Sequence, residues 1–268
     1  MSKIKNNVVW ITGASSGIGE ALAYEISRHQ PSLLILSAPA GNATELEAVA
    51  SRCKQTGIVC HTIPFDLSKK EEIHEAFAKA MQLTNRIDIM FHNGGVSQRS
   101  LVEETPTDID RKLFEINFWG AVELTKLVLP LMLSNRQGHF VISASIAGLF
   151  GFKFRSAYAA SKHALCGYFE SLRCETFDRG IKVTLLFPGR VQTNISLHAL
   201  TRDGRPHGVM DHGQDSGISA ALCAKKIVRA VERNKKNALI GGKELLMVYF
   251  KRYVPPLFYF LVNKVKPT

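Results

Sequence analysis

The chain has 268 residues, 46% of them hydrophobic and 21% charged, which suits one full-sized domain with a large core, although two small domains would fit the length. Lysine and arginine outnumber the acids 34 to 23, a net charge of +11, but they are scattered, with short pairs at Lys69-Lys70, Lys225-Lys226 and Lys235-Lys236. Without a long basic run or zinc-finger spacing, the composition argues against nucleic-acid binding, and no metal site is expected. The five cysteines, odd in number and without a Cys-x-x-Cys pair, read as reduced intracellular thiols and predict a cytoplasmic protein. The short polar N-terminus leaves no room for a signal peptide, and no run of 18 uninterrupted apolar residues occurs.

In chain order, apolar residues 8–12 read as a buried first strand that stops at a glycine turn. Residues 18–29 have helical spacing and end before Pro31; residues 33–37 form a second apolar run. A helix is predicted over 43–53, a strand over 59–65 ending at Asp66, and a helix over 69–81. Residues 87–92 make a strand that runs into Asn93-Gly94-Gly95, and 107–133 hold one or two helices. A strand over 139–143 leads to Ser145. A helix over 157–178 is closed by Gly180, and a strand over 182–187 is stopped by Pro188-Gly189. Strands alternating with helical patterns predict βαβ units, hence an α/β fold with a doubly wound parallel sheet. No internal break or repeat divides the chain, so residues 1–268 are expected to form a single domain. The stretch 196–216 is polar, rich in glycine and histidine and irregular. It predicts a mobile loop or lid within a substrate segment near 190–218.

Two constellations carry chemistry. The segment 12–19 (TGASSGIG) follows a strand and opens a helix, so Gly13, Gly17 and Gly19 permit a tight turn and close backbone approach. Ser15, Ser16 and Ile18 complete the turn, and the free N–H groups at the helix start suit a pyrophosphate. Downstream, Tyr158 and Lys162 lie one helical turn apart on the same face. A phenol of unperturbed pKa near ~10 is a poor acid–base catalyst at neutral pH, and a nearby ammonium lowers that value. The pair is a candidate proton donor and acceptor for carbonyl chemistry.

The spacing of segment 12–19, with Tyr158-x-x-x-Lys162, Ser145 and Asn93-Gly94, resembles the short-chain dehydrogenase/reductase family over 8–193. Segments 95–101 (GVSQRSL), 124–130 (LTKLVLP), 161–165 (SKHAL) and 191–195 (VQTNI) resemble its member 7 subgroup. The resemblance implies a single-domain Rossmann-like fold and an NAD(P)-dependent oxidoreductase that interconverts a ketone or aldehyde and an alcohol by hydride transfer. It implies that Tyr158 moves the proton and that Lys162 lowers its pKa and holds the nicotinamide ribose. It further implies that Ser145 hydrogen-bonds the substrate oxygen and Asn117 holds a relay water. The implied cofactor contacts are Asp66 and Leu67 at the adenine, Asn93 and Gly94 at the adenosine ribose, and Pro188, Gly189, Val191 and Thr193 at the nicotinamide.

No acid follows the second strand, where Ser37-Ala38-Pro39-Ala40 stands, so NADP(H) is favoured and NAD(H) remains an alternative, with Ser37 and Asn42 as candidate phosphate donors. His92 and Gly95 depart mildly from the asparagine and alanine frequent in the family. A homodimer or homotetramer through the 107–133 and 157–178 helices is implied. The substrate is expected to be apolar, with Arg99, Arg155 and Arg190 as exceptions that keep an acidic one open. The apolar segment 245–262, flanked by Lys264 and Lys266, fits either a final helix packed on the core or a subunit, or an interfacial element on a membrane. The alternatives are a non-enzymatic nucleotide-binding regulator on the same fold and a peripheral membrane protein.

Overall fold

The computed structural model describes residues 3–211 and 215–264. Seven parallel strands form one sheet in the order β3-β2-β1-β4-β5-β6-β9. They are β1 (Val8–Thr12), β2 (Leu33–Ser37), β3 (Cys60–Thr62), β4 (Ile89–His92), β5 (Gly138–Ser143), β6 (Ile181–Pro188) and β9 (Asn237–Ile240). A separate two-stranded pair joins β7 (Val191–Gln192) to β8 (Ile218–Ser219). All five residues of β1 and of β2 are buried, as strands covered on both faces require.

Alternation along the strands divides the core into two layers. Val9, Ile11, Leu34 and Leu36 face α1 (Gly17–Ser27), α2 (Ala43–Lys54) and the helix Ala220–Glu232. Val8, Trp10, Ile35, Met90 and Phe140 face α3 (Lys70–Leu83), α5 (Gly120–Ser134) and α6 (Ser156–Glu175). Trp10 is fully buried and donates its indole N–H to Ser37 Oγ at 2.9 Å. Truncating such a tryptophan to alanine costs about 3–5 kcal/mol. The strand order reverses between β1 and β4, which opens a crevice at the C-terminal strand ends.

The structure refines several sequence expectations. The strand predicted over 59–65 shrinks to three residues because it pairs with β2 alone and Pro64 cannot donate to a ladder. The apolar stretch after Thr107 is one continuous run: α4 (Thr107–Phe114), a π-helical turn Glu115–Trp119, then α5. Among the described residues this run, Thr107–Ser134, is the one helix long and apolar enough to cross a membrane, and its Leu113, Leu124, Val128 and Met132 are buried in the protein.

The helix Ala220–Glu232 went unread, although Cys223, Ala224, Ile227, Val228 and Val231 lie on one buried face and Ser219 Oγ caps Leu222 N at 3.2 Å. The apolar tail folds as two short helices, Leu246–Tyr253 and Pro255–Val262, and Lys266 lies outside the described residues. Of the predicted 196–216 loop, 212–214 lie outside the described residues. The rest is tied down by turns and by bridges from Leu200 to Gln98 and Pro206.

Candidate active site

The glycine turn is built so that only glycine fits. Gly13 and Gly17 have φ of +65° and +58°, in the left-handed region. A Cβ on Gly19 would stand 1.9 Å from the Gly13 carbonyl oxygen, and one on Gly13 would stand 2.6 Å from Gly94 Cα. Asn93 fastens this turn to the sheet: Nδ2 donates to the carbonyls of Thr12 and Gly13 at 3.3 and 3.2 Å, and Oδ1 accepts from Ser143 Oγ at 3.1 Å. Thr12 Oγ1 accepts from the N–H groups of Asn93 and Gly94, both at 3.1 Å. Ser16, at the start of α1, makes no side-chain cap, so that helix end is not closed by its own hydroxyl.

The cleft here is lined by Gly13, Ser15, Ser16, Gly17, Ile18, Ser37, Asn42, Asp66, Leu67, Asn93, Gly94 and Thr193. A glycine-rich turn at an uncapped helix start fits the pyrophosphate of a dinucleotide. Asp66 turns one carboxylate oxygen onto the N–H and hydroxyl of Ser68, each at 2.8 Å. Ser37 Oγ accepts from the Trp10 indole N–H, which leaves its own O–H proton free to donate.

A second cavity adjoins the first and shares Ile18, Asn93, Gly95, Thr193 and Ile195 with it. Ser145, Tyr158, Lys162, Pro188, Gly189 and Val191 line it. Ser145 has φ +109°, a strained backbone for a non-glycine residue. Its Oγ accepts from Ala147 N at 3.2 Å. Burial pushes the Tyr158 phenol above its ordinary pKa, while a hydrogen bond with Ser145 and the guanidiniums of Arg155 and Arg99 oppose the rise. The sequence reading gave that lowering to Lys162. Here the Lys162 ammonium donates to the Ser143 carbonyl at 2.8 Å and stands 5.8 Å from the Tyr158 ring centroid. Burial pulls Lys162 itself down to about 8.

Asn117 lies in the π-helical turn, an irregularity that often marks a functional position. Its Oδ1 accepts from Val96 N at 2.8 Å; its Nδ2 donates to Val96 O at 2.9 Å and to Ser161 Oγ at 3.2 Å. The carboxamide thus ties the π-helical turn to Val96 and to α6 at Ser161.

Three residues of the site were not read from sequence. The buried Gln98 carboxamide caps α6 from a distant loop, accepting from Ala157 N and Tyr158 N. Glu244 Oε1 accepts from Arg190 N at 2.8 Å and from Gly242 N at 3.0 Å, which holds the turn after β6. Asp211 binds Arg99 and Arg155 inside the cavity. These are single polar residues in loops, without a spacing signal.

Residues 7–202 match the short chain dehydrogenase family. The chain belongs to the short-chain dehydrogenase/reductase family. It is 36% identical to dehydrogenase/reductase SDR family member 7B of Bos taurus, over 97% of this chain and 81% of that protein. It is 38% identical to human member 7, over 98% of this chain and 78% of that protein. A short-chain dehydrogenase/reductase from Burkholderia phymatum, solved in complex with NAD, superposes with a TM-score of 0.83 at 22% identity and covers 100% of this chain and 99% of its own. Levodione reductase superposes with a TM-score of 0.77 at 22% identity, over 89% of this chain and 96% of its own. The fold, the oxidoreductase family and the resemblance to members 7 and 7B agree with the sequence reading.

Proposed function

We propose that this short-chain dehydrogenase/reductase interconverts a ketone or aldehyde and an alcohol, with NADP(H) preferred over NAD(H). The observation that carries the reading is the convergence of Ser145, Tyr158 and Lys162 in a cavity contiguous with the glycine cradle. A bound nicotinamide dinucleotide supplies the hydride. Gly13, Ser15, Ser16, Gly17, Ile18 and Gly19 would hold its pyrophosphate, and Pro188, Gly189, Val191 and Thr193 would border its nicotinamide. Tyr158 gives its phenolic proton to the carbonyl oxygen, or takes one back from the alcohol. Ser145 hydrogen-bonds the same oxygen and stabilises charge that develops there. With the nucleotide bound, Lys162 would hold its ribose, while Asn117 keeps the Val96 segment in place.

The NADP(H) preference rests on the missing acid after β2, with Asn42 at the cleft wall. The test is the rate of NADPH against NADH oxidation with a panel of ketones and aldehydes, both neutral and acidic. A higher kcat/KM for NADH overturns the preference, and no oxidation of either overturns the reaction.

Five free cysteines suit a reducing compartment such as the cytoplasm. A homo-oligomer through α4, α5 and α6 is supported by Trp119, 51% exposed in the turn between α4 and α5, and Phe177, 81% exposed just past the end of α6. A membrane contact is supported by the exposed Leu246, Tyr249, Tyr253, Leu257, Tyr259 and Phe260 beside Lys251 and Arg252. Met247 and Val262 of the same helices line the substrate cavity. Flotation with anionic liposomes tests this surface; Tyr253→Ser with Phe260→Ser abolishes flotation if the contact is real.

A further inference from the structure

The substrate cavity that holds Tyr158 also contains a buried charge cluster. Asp211 comes from the polar loop and is 4% exposed. Its Oδ1 accepts from Arg99 Nε at 3.1 Å, and its Oδ2 accepts from Arg99 Nη2 and, at 2.7 Å, from Arg155 Nη2. Arg99 is fixed from behind, with Nη1 donating to Ser97 Oγ at 2.8 Å and to the Gln98 carbonyl at 2.6 Å. Arg155 packs its guanidinium over the Phe152 ring at 4.8 Å. The Asp211 backbone is held by its N–H donating to Ser196 Oγ at 3.3 Å and its carbonyl accepting from Asp215 N at 3.2 Å.

Among the described residues, two guanidiniums meet one carboxylate at this cluster, so positive groups outnumber negative ones there. Lys162 and Arg190 line the same space, and its second carboxylate, Glu244, is turned onto the backbone of Arg190 and Gly242. The remaining walls include Phe150, Phe152, Ile195 and Met247. Excess buried charge is costly unless a counter-charge joins it. Paired guanidinium forks match a planar carboxylate, and here they already hold one.

We propose that Arg99 and Arg155 are the anion subsite of the substrate cavity, that the substrate joins a carboxylate to an apolar carbonyl skeleton, and that Asp211 occupies the subsite until that carboxylate displaces it. The inference rests on the proposed oxidoreductase reading for the carbonyl alone; the anion subsite stands on the arginines. The loop that carries Asp211 thereby reports substrate: an acid frees it, and a neutral ketone leaves it latched.

The test is calorimetry on the full chain saturated with NADPH, using aryl oxo acids of increasing chain length and their methyl esters. The best acid is expected to bind about tenfold or more tighter than its ester, the range of a charge-assisted hydrogen bond. Asp211→Asn removes the internal competitor and tightens acid binding, with the ester unchanged. Arg155→Gln removes the preference for acid while NADPH still binds. Should no acid bind better than its ester, or should Asp211→Asn weaken acid and ester alike, the subsite is refuted. Acid binding without NADPH oxidation would refute the reaction and leave the subsite intact.

Discussion

The Gln98 side chain holds the N–H of Tyr158 at 3.2 Å, and that of Ala157 at 2.9 Å, through one carboxamide oxygen. The residue at the start of α6, Arg155, supplies no side-chain cap. A buried loop residue therefore closes the helix that presents the proton donor. Gln98→Leu leaves two N–H groups unpaired and is expected to cost about 1–3 kcal/mol of stability. We expect a lower kcat with an unchanged Kd for NADPH, measured by steady-state kinetics and fluorescence. Gln98→Glu, which keeps the acceptor, restores part of kcat. A fall in NADPH affinity equal to the fall in kcat would contradict a local role.

Gly19→Ala tests the cradle. The added Cβ meets a backbone carbonyl 1.9 Å away rather than a flexible side chain, so the turn itself must shift. Nucleotide affinity is expected to fall about 100-fold or more, a loss of the order of 3 kcal/mol. Calorimetry with NADPH checks this, and a bound nucleotide at wild-type affinity would contradict the placement.

Lys162 makes a prediction about stability. Its pKa falls from 10.5 to about 8 on folding because burial disfavours the ammonium. The unfolded chain then holds that proton more tightly than the folded one. The resulting penalty, of the order of 3 kcal/mol, is in full force below about pH 8 and is relieved as pH rises toward 10.5. Lys162→Met removes the penalty along with one hydrogen bond to Ser143. It is expected to abolish turnover yet raise Tm at pH 7, with the gain shrinking by pH 10. A lower Tm at pH 7 would contradict the argument.

His92 and His139 act in the opposite pH range. Both are buried and neutral, with pKa pulled down to about 3 by desolvation. The stability they protect is complete above the unfolded value near 6.5 and is lost as pH falls toward 3. Each contributes a loss of about 2–3 kcal/mol between roughly pH 6.5 and 4.5. His92 bonds Thr125 Oγ1 at 2.8 Å, and its Nδ1 has no partner among the described residues. Replacing the pair, His92→Leu with Thr125→Val, should flatten urea midpoints across that range. An unchanged slope would contradict it.

The elements that carry periodic patterns were legible in the sequence. Val8–Thr12, Leu33–Ser37 and the α6 helix fall where apolar spacing put them. Gly13, Gly17 and Gly19 could be read because a turn that admits no Cβ leaves a compositional mark. Ser145, Tyr158 and Lys162 could be read because their spacing and order repeat a family pattern. Gln98, Asp211 and Glu244 could not, since each acts across 59 or 60, 112 and 54 positions of chain, respectively, through one loop side chain. Nor could the sequence place the Arg99 and Arg155 guanidiniums close enough to act on Tyr158. Electrostatics at a buried phenol depends on which loops close over it.

The most direct measurement compares NADPH and NADH binding by the wild type and Tyr158→Phe, followed by turnover with a carbonyl substrate. The account predicts tight NADPH binding by both proteins, weaker NADH binding, and a loss of turnover of about 10²–10⁴-fold in the variant. Failure of either nucleotide to bind the wild type at millimolar concentration would contradict it.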